Sequence, residues 1–325
     1  MTRLGYQIPN FTYPGVGPDR LFDVVAQQAR EADRSGFDTV LVMDHFYQLP
    51  MLGNPDDFML ECYSLLSALA RETSNVKLSS LVTGNTYRNP AVLAKTVTTL
   101  DIVSNGRAQL GIGAGWFELE HDAFGIEFGT FTDRFEKLEE ALQIIISMLR
   151  GERASLDGSW YTARDAMNEP PPVSRIPVMI GGGGERKTLR MVAQYADESN
   201  IICPDDQIDR KLEALAAHCE ALGRDRSEIT VSKQKSACIA PTREQAEEEL
   251  LAYFDRRGLA LRDASDEERA PWFANFAWGD PDTVGETYAS LLRPGLDGFT
   301  INMPANGHLE GRVELLGQTL TPIIG

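Results

Sequence analysis

What most constrains the fold of this chain is an alternation that runs from one end to the other. Short apolar runs at 4–8, 39–43, 76–82, 108–112, 177–180, 199–202, within 229–239 and at 298–302 read as strands. Apolar residues recur at helical spacing at 19–35, 60–71, 90–103, 131–149, 189–196, 208–222, 242–256, 282–292 and 309–320. Gly36 and Gly106 stop their helices, Pro90 opens one, and Thr130 or Thr132 caps another. Strands apolar on both faces must be covered on both faces, as parallel strands joined by helices are. Eight βα units in 325 residues predict an α/β fold, a closed (β/α)8 TIM barrel, as one domain over 1–325. An open doubly wound sheet is the alternative. A barrel of this kind needs about 250 residues. The surplus falls in long insertions after strands two, four and seven and after helix four. Residues 151–175, with Pro170, Pro171 and Pro172, read as a loop-rich connection. Residues 257–280 read as an irregular excursion whose Trp272, Phe273, Phe276 and Trp278 serve as packing or as a lid, with packing preferred.

The formal net charge is −17. A surface this acidic repels nucleic acid and anionic membranes, so neither is expected as a partner. A phosphorylated ligand would have to be caught by local dipoles and a few basic side chains. Cys62, Cys203, Cys219 and Cys238 contain no C-x-x-C pair, so reduced thiols and a cytoplasmic protein are expected. The N-terminal residues lack a signal-peptide apolar core, and no apolar run approaches membrane-spanning length.

Residues 176–197 read as strand, glycine turn and helix, with four consecutive glycines, Gly181 to Gly184. Glycines allow close backbone approach, and a helix start offers unpaired N–H groups. Together with Arg186, Lys187 and Thr188 this makes an anion site, the plain alternative being a turn with no ligand. The stretch is neither G-x-G-x-x-G nor a P-loop, because Arg186 or Lys187 stands where each needs glycine.

In a barrel the working groups lie at the C-terminal ends of strands. Those ends carry Asn10, the pair Asp44 and His45, the stretch 80–85, the glycines with Trp116, the four-glycine turn, and Asn302 with Met303. A histidine beside an aspartate at a strand mouth can hold a ligand oxygen or move a proton near neutral pH. Equally, Asp44 could cap the next turn and His45 be structural. Glu118, Glu120, His121 and Asp122 form an acidic cluster that reads as an exposed polar turn rather than a metal site, so no metal is expected. No G-x-S-x-G elbow is present. Lys233 and Lys235 on strand seven are the only candidates for a Schiff-base lysine, and an exposed strand face explains them more simply.

Taken jointly, these strand ends resemble the luciferase-like monooxygenase family. The matching stretches are Val-Leu-Val-Met-Asp-His at 40–45, Ser-Ser-Leu-Val-Thr-Gly-Asn-Thr-Tyr-Arg-Asn-Pro-Ala-Val-Leu-Ala-Lys at 79–95, Ser-Asn-Gly-Arg-Ala-Gln-Leu-Gly-Ile-Gly-Ala-Gly-Trp at 104–116 and Pro-Val-Met-Ile-Gly-Gly-Gly-Gly at 177–184. The resemblance covers essentially the whole chain and implies a (β/α)8 barrel binding FMN or the deazaflavin coenzyme F420. The pattern is most similar to the F420-dependent branch. It implies Asp44 and His45 as the catalytic pair, and a cis peptide at Ser80–Leu81 bulging against the cofactor ring. Thr83, Asn85, Gly113 and Gly115 are implied as further cofactor contacts. Gly182, Gly183 and Gly184 would take the cofactor phosphate, with Lys187 as a helper. Trp116 and Asn302 would line the substrate pocket. The glucose 6-phosphate branch carries a glutamate where this chain has Trp116, so a less charged substrate is expected. The resemblance also implies a homodimer.

The function expected is hydride transfer between F420 and a small, uncharged organic substrate. The alternatives are an FMN-dependent monooxygenase on the same fold, a non-redox sugar-phosphate isomerase or aldolase barrel, and a cofactor carrier without turnover.

Overall fold

The structure, a computed structural model, describes residues 3–324. Eight strands recur along the chain: β1 (Leu4–Ile8), β2 (Thr39–Val42), β3 (Lys77–Ser80), β4 (Ala108–Gly113), β5 (Val178–Gly181), β6 (Glu198–Ile201), β7 (Thr230–Ile239) and β8 (Gly298–Asn302). Helices separate them, as the sequence pattern requires. The residues fall into two compact units.

The first unit holds residues 42–46 and 61–230. Here β3, β4, β5 and β6 are parallel neighbours in that order. Helices Cys62–Glu72, Pro90–Val103, Phe131–Leu149, Thr188–Tyr195 and Ile208–Leu222 belong to this unit. Asn89 caps helix Pro90–Val103 with its side-chain oxygen. Thr130, not Thr132, caps helix Phe131–Leu149, in a reciprocal capping box with Asp133. The 151–175 connection is more regular than expected. It contains an antiparallel ribbon, Ala154–Asp157 paired with Thr162–Ala166. The ribbon is mostly solvent-facing, so it carries no apolar run to announce it. Glu140 holds its tip by accepting from the Ser159, Trp160 and Tyr161 N–H groups at 2.7–2.9 Å.

The second unit holds residues 3–41, 47–60 and 231–324. Strand β8 lies between β1 and β7, parallel to both. Gln234 and Ser236 of β7 bond the side chains of Gln7 on β1 and Asn302 on β8. Period-two alternation puts Lys233 and Lys235 on the opposite face. That face is not exposed: the two lysines are 2% and 9% accessible. The 257–280 excursion is also ordered, with helix Asp266–Phe273 and strand Phe276–Gly279 parallel to β7. Phe273 stacks on Phe254 at 5.8 Å and is buried with Tyr253, Leu250 and Leu261. Its aromatics are packing, with Trp272 left 38% accessible. Among the described residues, no helix is long and apolar enough to cross a membrane.

Candidate functional site

The first unit gathers most of the residues singled out at strand ends, around a bulge after β3. The Leu81 N–H donates to the Val42 carbonyl at 2.8 Å, and the Ser80 hydroxyl donates to the Gly111 carbonyl at 2.7 Å. The Leu81 main chain and the Ser80 side chain are thus still tied to neighbouring strands. The non-proline cis peptide expected there lies one bond further on, at Leu81–Val82. The chain rejoins the sheet at once, Thr83 and Gly84 pairing with Ile112 and Gly113 of β4.

Glycines make room for this detour. A Cβ on Gly181 would lie 2.7 Å from Val82 Cγ1, and one on Gly113 2.9 Å from Val82 Cγ2. On Gly111 it would lie 1.9 Å from the Ser80 carbonyl oxygen. Under the bulge runs a buried hydroxyl chain. Because Ser80 Oγ donates to Gly111, it accepts from Thr83 Oγ1 at 2.8 Å, which in turn accepts from the Tyr63 phenol at 2.6 Å. Burial raises the Tyr63 pKa, keeping the phenol protonated. Ser80 and Thr83 are wholly buried, and their hydroxyls engage this chain.

Asp44 ends the run after β2 and is 1% accessible. Arg88 clasps it with Nη1–Oδ2 at 2.5 Å and Nη2–Oδ1 at 2.9 Å, and the Gly84 N–H adds a bond at 3.2 Å. Arg88 also reaches Glu61 Oε1 at 2.7 Å and lies 5.0 Å from the Tyr63 ring centroid. Burial pushes the Asp44 pKa up, against the opposing pull of the guanidinium.

His45 faces a carboxylate that the sequence reading assigned to an exposed turn. Its Nδ1 lies 2.9 Å from Glu120 Oε2. The Phe46 N–H donates to Glu120 Oε1 at 2.5 Å, and the Tyr87 hydroxyl donates to Oε2. Burial and the Glu120 carboxylate raise the Tyr87 pKa. The cluster at 118–122 therefore splits. Glu118 and Asp122 are exposed, whereas Glu120 and His121 on the short helix Glu118–Phe124 are wholly buried. His121 spends both nitrogens on structure, at 2.8 Å from the Phe117 carbonyl and 2.7 Å from Thr86 Oγ1. Among the described residues no His, Cys, Asp or Glu group could hold a metal. No local signal marks Glu120: Phe124, one turn on, is itself 53% accessible while stacking on Phe46 at 4.7 Å.

Two aromatic rings meet the His45 ring edge-on, Trp116 and Phe117, each with centroids 5.8 Å away. Trp116 is 53% accessible, an exposed apolar surface beside the imidazole. No partner among the described residues engages His45 Nε2. Gly115 sits where a Cβ would come 2.6 Å from Thr86 Oγ1, and its carbonyl accepts from Arg134 Nε at 3.1 Å.

At the four-glycine turn, Gly182 has φ +127°, a conformation that favours glycine. A Cβ on Gly183 would press to 2.5 Å from the Ile202 carbonyl oxygen, and one on Gly184 to 2.8 Å from Thr188 Oγ1. The Lys187 ammonium lies over the Phe131 and Phe135 rings, at 5.2 and 5.4 Å from their centroids. Asn85 is buried, and its Oδ1 has no hydrogen-bond partner among the described residues. In the second unit Asn302 is enclosed in an amide network. It donates to Gln7 Oε1 at 3.1 Å and accepts from Ser236 at 2.6 Å.

The profile of the family described as luciferase-like monooxygenase matches residues 2–298. An F420-dependent glucose-6-phosphate dehydrogenase of Segniliparus rotundus is 31% identical over 203 residues, 60% of this chain and 58% of that protein. The match thus spans little more than half the length of that relative. Among solved structures, an F420-dependent secondary alcohol dehydrogenase in complex with an F420-acetone adduct superposes with a TM-score of 0.78 at 18% identity. It covers 99% of this chain and 98% of its own. The oxygenating constituent of 3,6-diketocamphane monooxygenase from Pseudomonas putida, in complex with FMN, superposes with a TM-score of 0.75 at 20% identity, covering 100% and 99%. These two likenesses show the fold, a (β/α)8 barrel with helices between its strands. The Segniliparus relative is named as F420-dependent, and the two superposed structures hold an F420-acetone adduct and FMN.

Proposed function

Because the chain belongs to the luciferase-like monooxygenase family, we propose that it is an oxidoreductase moving hydride between coenzyme F420 and a small, uncharged organic substrate. The observation that carries this reading is the pairing of His45, whose Nε2 is unengaged, with the exposed face of Trp116. A histidine that can take or give one proton, set beside an apolar wall, suits an alcohol–carbonyl pair better than a phosphorylated sugar. The similarity to F420-dependent dehydrogenases supports the choice of cofactor.

The residues present fit a flat cofactor with an anionic tail. Val82 beside the bulge is apolar and partly exposed, and Asn85 Oδ1 is a buried acceptor with no donor among the described residues. Gly182, Gly183 and Gly184, with Lys187, would hold the phosphate. When bound, F420 supplies or takes the hydride at one ring carbon. The protein's own part is to hold the substrate oxygen at His45, to orient the reacting carbon against the bulge and to exclude water. Asp44 keeps His45 in place through the backbone, with Arg88 fixing its carboxylate.

The second reading, a reduced-flavin monooxygenase, is favoured by the likeness to the FMN-bound monooxygenase. Substrate-dependent bleaching of F420 absorbance, followed with a panel of secondary alcohols and abolished in His45→Gln, tests the first reading. A homodimer is part of the same proposal, to be checked by light scattering.

A further inference from the structure

We infer that Glu120 and Tyr87 are positioning residues for His45, forming a phenol–carboxylate–imidazole relay that fixes which imidazole nitrogen faces the pocket. The inference rests on the reading of His45 as the proton-handling group.

The geometry decides the proton placement. Glu120 is enclosed and accepts from the Phe46 main-chain N–H and from the Tyr87 hydroxyl. A carboxyl accepting at both oxygens is best served as the anion. The His45 Nδ1 then carries the hydrogen that points to Glu120 Oε2, 2.9 Å away. The lone pair is left on Nε2, beside Trp116 and Phe117. When a substrate hydroxyl gives up its proton, the O–H bond breaks and an Nε2–H bond forms. Bound F420 would be the acceptor of the hydride released from the neighbouring carbon, so the C–H electrons have a destination and His45 holds only the proton. The imidazolium so produced is matched by the fixed Glu120 charge.

Asp44 is the neighbouring carboxylate that also interacts electrostatically with the imidazole. Asp44 is clasped by Arg88, which also pairs with Glu61. His121 uses both nitrogens on structural partners, and Glu118 and Asp122 are exposed on the other side of the short helix. Tyr87 supplies a neutral donor, so it orients the carboxylate without cancelling its charge.

The test is nitrogen and carbon NMR of the imidazoles in the cofactor-free protein, titrated with pH, for wild type, Glu120→Gln and Tyr87→Phe. His121 serves as the internal reference. The wild-type neutral ring is expected with hydrogen on Nδ1. In Glu120→Gln the amide N–H faces Nδ1, so the neutral tautomer should reverse and, with the anion gone, the His45 titration should move to lower pH. Tyr87→Phe should keep the tautomer. The wild-type measurement needs no variant to fold. A wild-type neutral ring with hydrogen on Nε2, or a Glu120→Gln titration unmoved from wild type, overturns the relay. The pH profile of turnover separates the two levels: a matching acid shift in Glu120→Gln supports the relay. If NMR shifts and the turnover profile does not, the relay stands and the proton role of His45 fails.

Discussion

Arg88 meets Asp44 fork to fork, with both guanidinium–carboxylate contacts inside 3 Å and the carboxylate almost wholly enclosed. Removing one partner of such a pair leaves a buried charge and costs about 3–5 kcal/mol. Arg88→Met is therefore expected to lower unfolding free energy by about that amount near neutral pH. The pH dependence has a definite sign. Burial holds the folded Asp44 pKa above its ordinary value, and losing Arg88 removes the main opposing pull. A raised carboxyl pKa favours the folded state at low pH and loses that advantage as pH rises through it. The deficit of Arg88→Met should thus be largest at neutral pH and shrink toward about pH 4. Denaturant melts at a series of pH values check this; a deficit independent of pH speaks against a buried ion pair.

Val82 and Gly181 form a second pair whose fit can be measured. Gly181→Ala places a methyl 2.7 Å from Val82 Cγ1, so overpacking of about 1–3 kcal/mol is expected. Val82→Ala should relieve most of it, giving a strongly non-additive double-mutant cycle. Additive losses would show that the glycine serves some other need.

The glycine turn allows a gentler probe of the phosphate assignment than Gly183, whose added Cβ would strike the backbone at Ile202. Gly184→Ala has its one tight contact with a side-chain atom, the Thr188 hydroxyl oxygen at 2.8 Å, rather than with backbone. It should raise the cofactor dissociation constant about tenfold, roughly 1.4 kcal/mol, while leaving turnover at saturation within about twofold. Unchanged affinity in the folded variant removes the phosphate from this turn.

Trp116 separates substrate choice from stability. Being half exposed, it can be cut to alanine with little effect on melting temperature. The KM for uncharged alcohols should rise about tenfold, about 1.4 kcal/mol of lost apolar contact. A KM unaltered for every uncharged substrate turned over would exclude Trp116 as the pocket wall.

Much of this was legible in sequence because the barrel strands are buried on both faces, which writes eight apolar runs into the chain. Asp44, His45 and Trp116 could be found for the same reason: each follows the end of such a run. What sequence withheld depends on neighbours far apart in the chain. Nothing local to Gly181 or Gly113 announces Val82, and the cis bond lies one residue further on than expected, at Leu81–Val82. Glu120 was hidden by composition. Flanked by Glu118 and Asp122, it looked exposed, while the partners that enclose it, His45, Phe46 and Tyr87, lie far away in the chain. Lys233 and Lys235 were misjudged in the same way, since a charged side chain can be buried where its alternation demands. The ribbon at 154–166 was missed because an exposed hairpin has no apolar face to display.

Parallel titration of the purified protein with F420 and with FMN, by fluorescence or calorimetry, decides the identity of the cofactor. Saturable F420 binding in the micromolar range is expected, lost or weakened in Gly184→Ala, with no comparable binding of FMN. Micromolar FMN binding with none for F420 would contradict it and leave the flavin monooxygenase reading in its place.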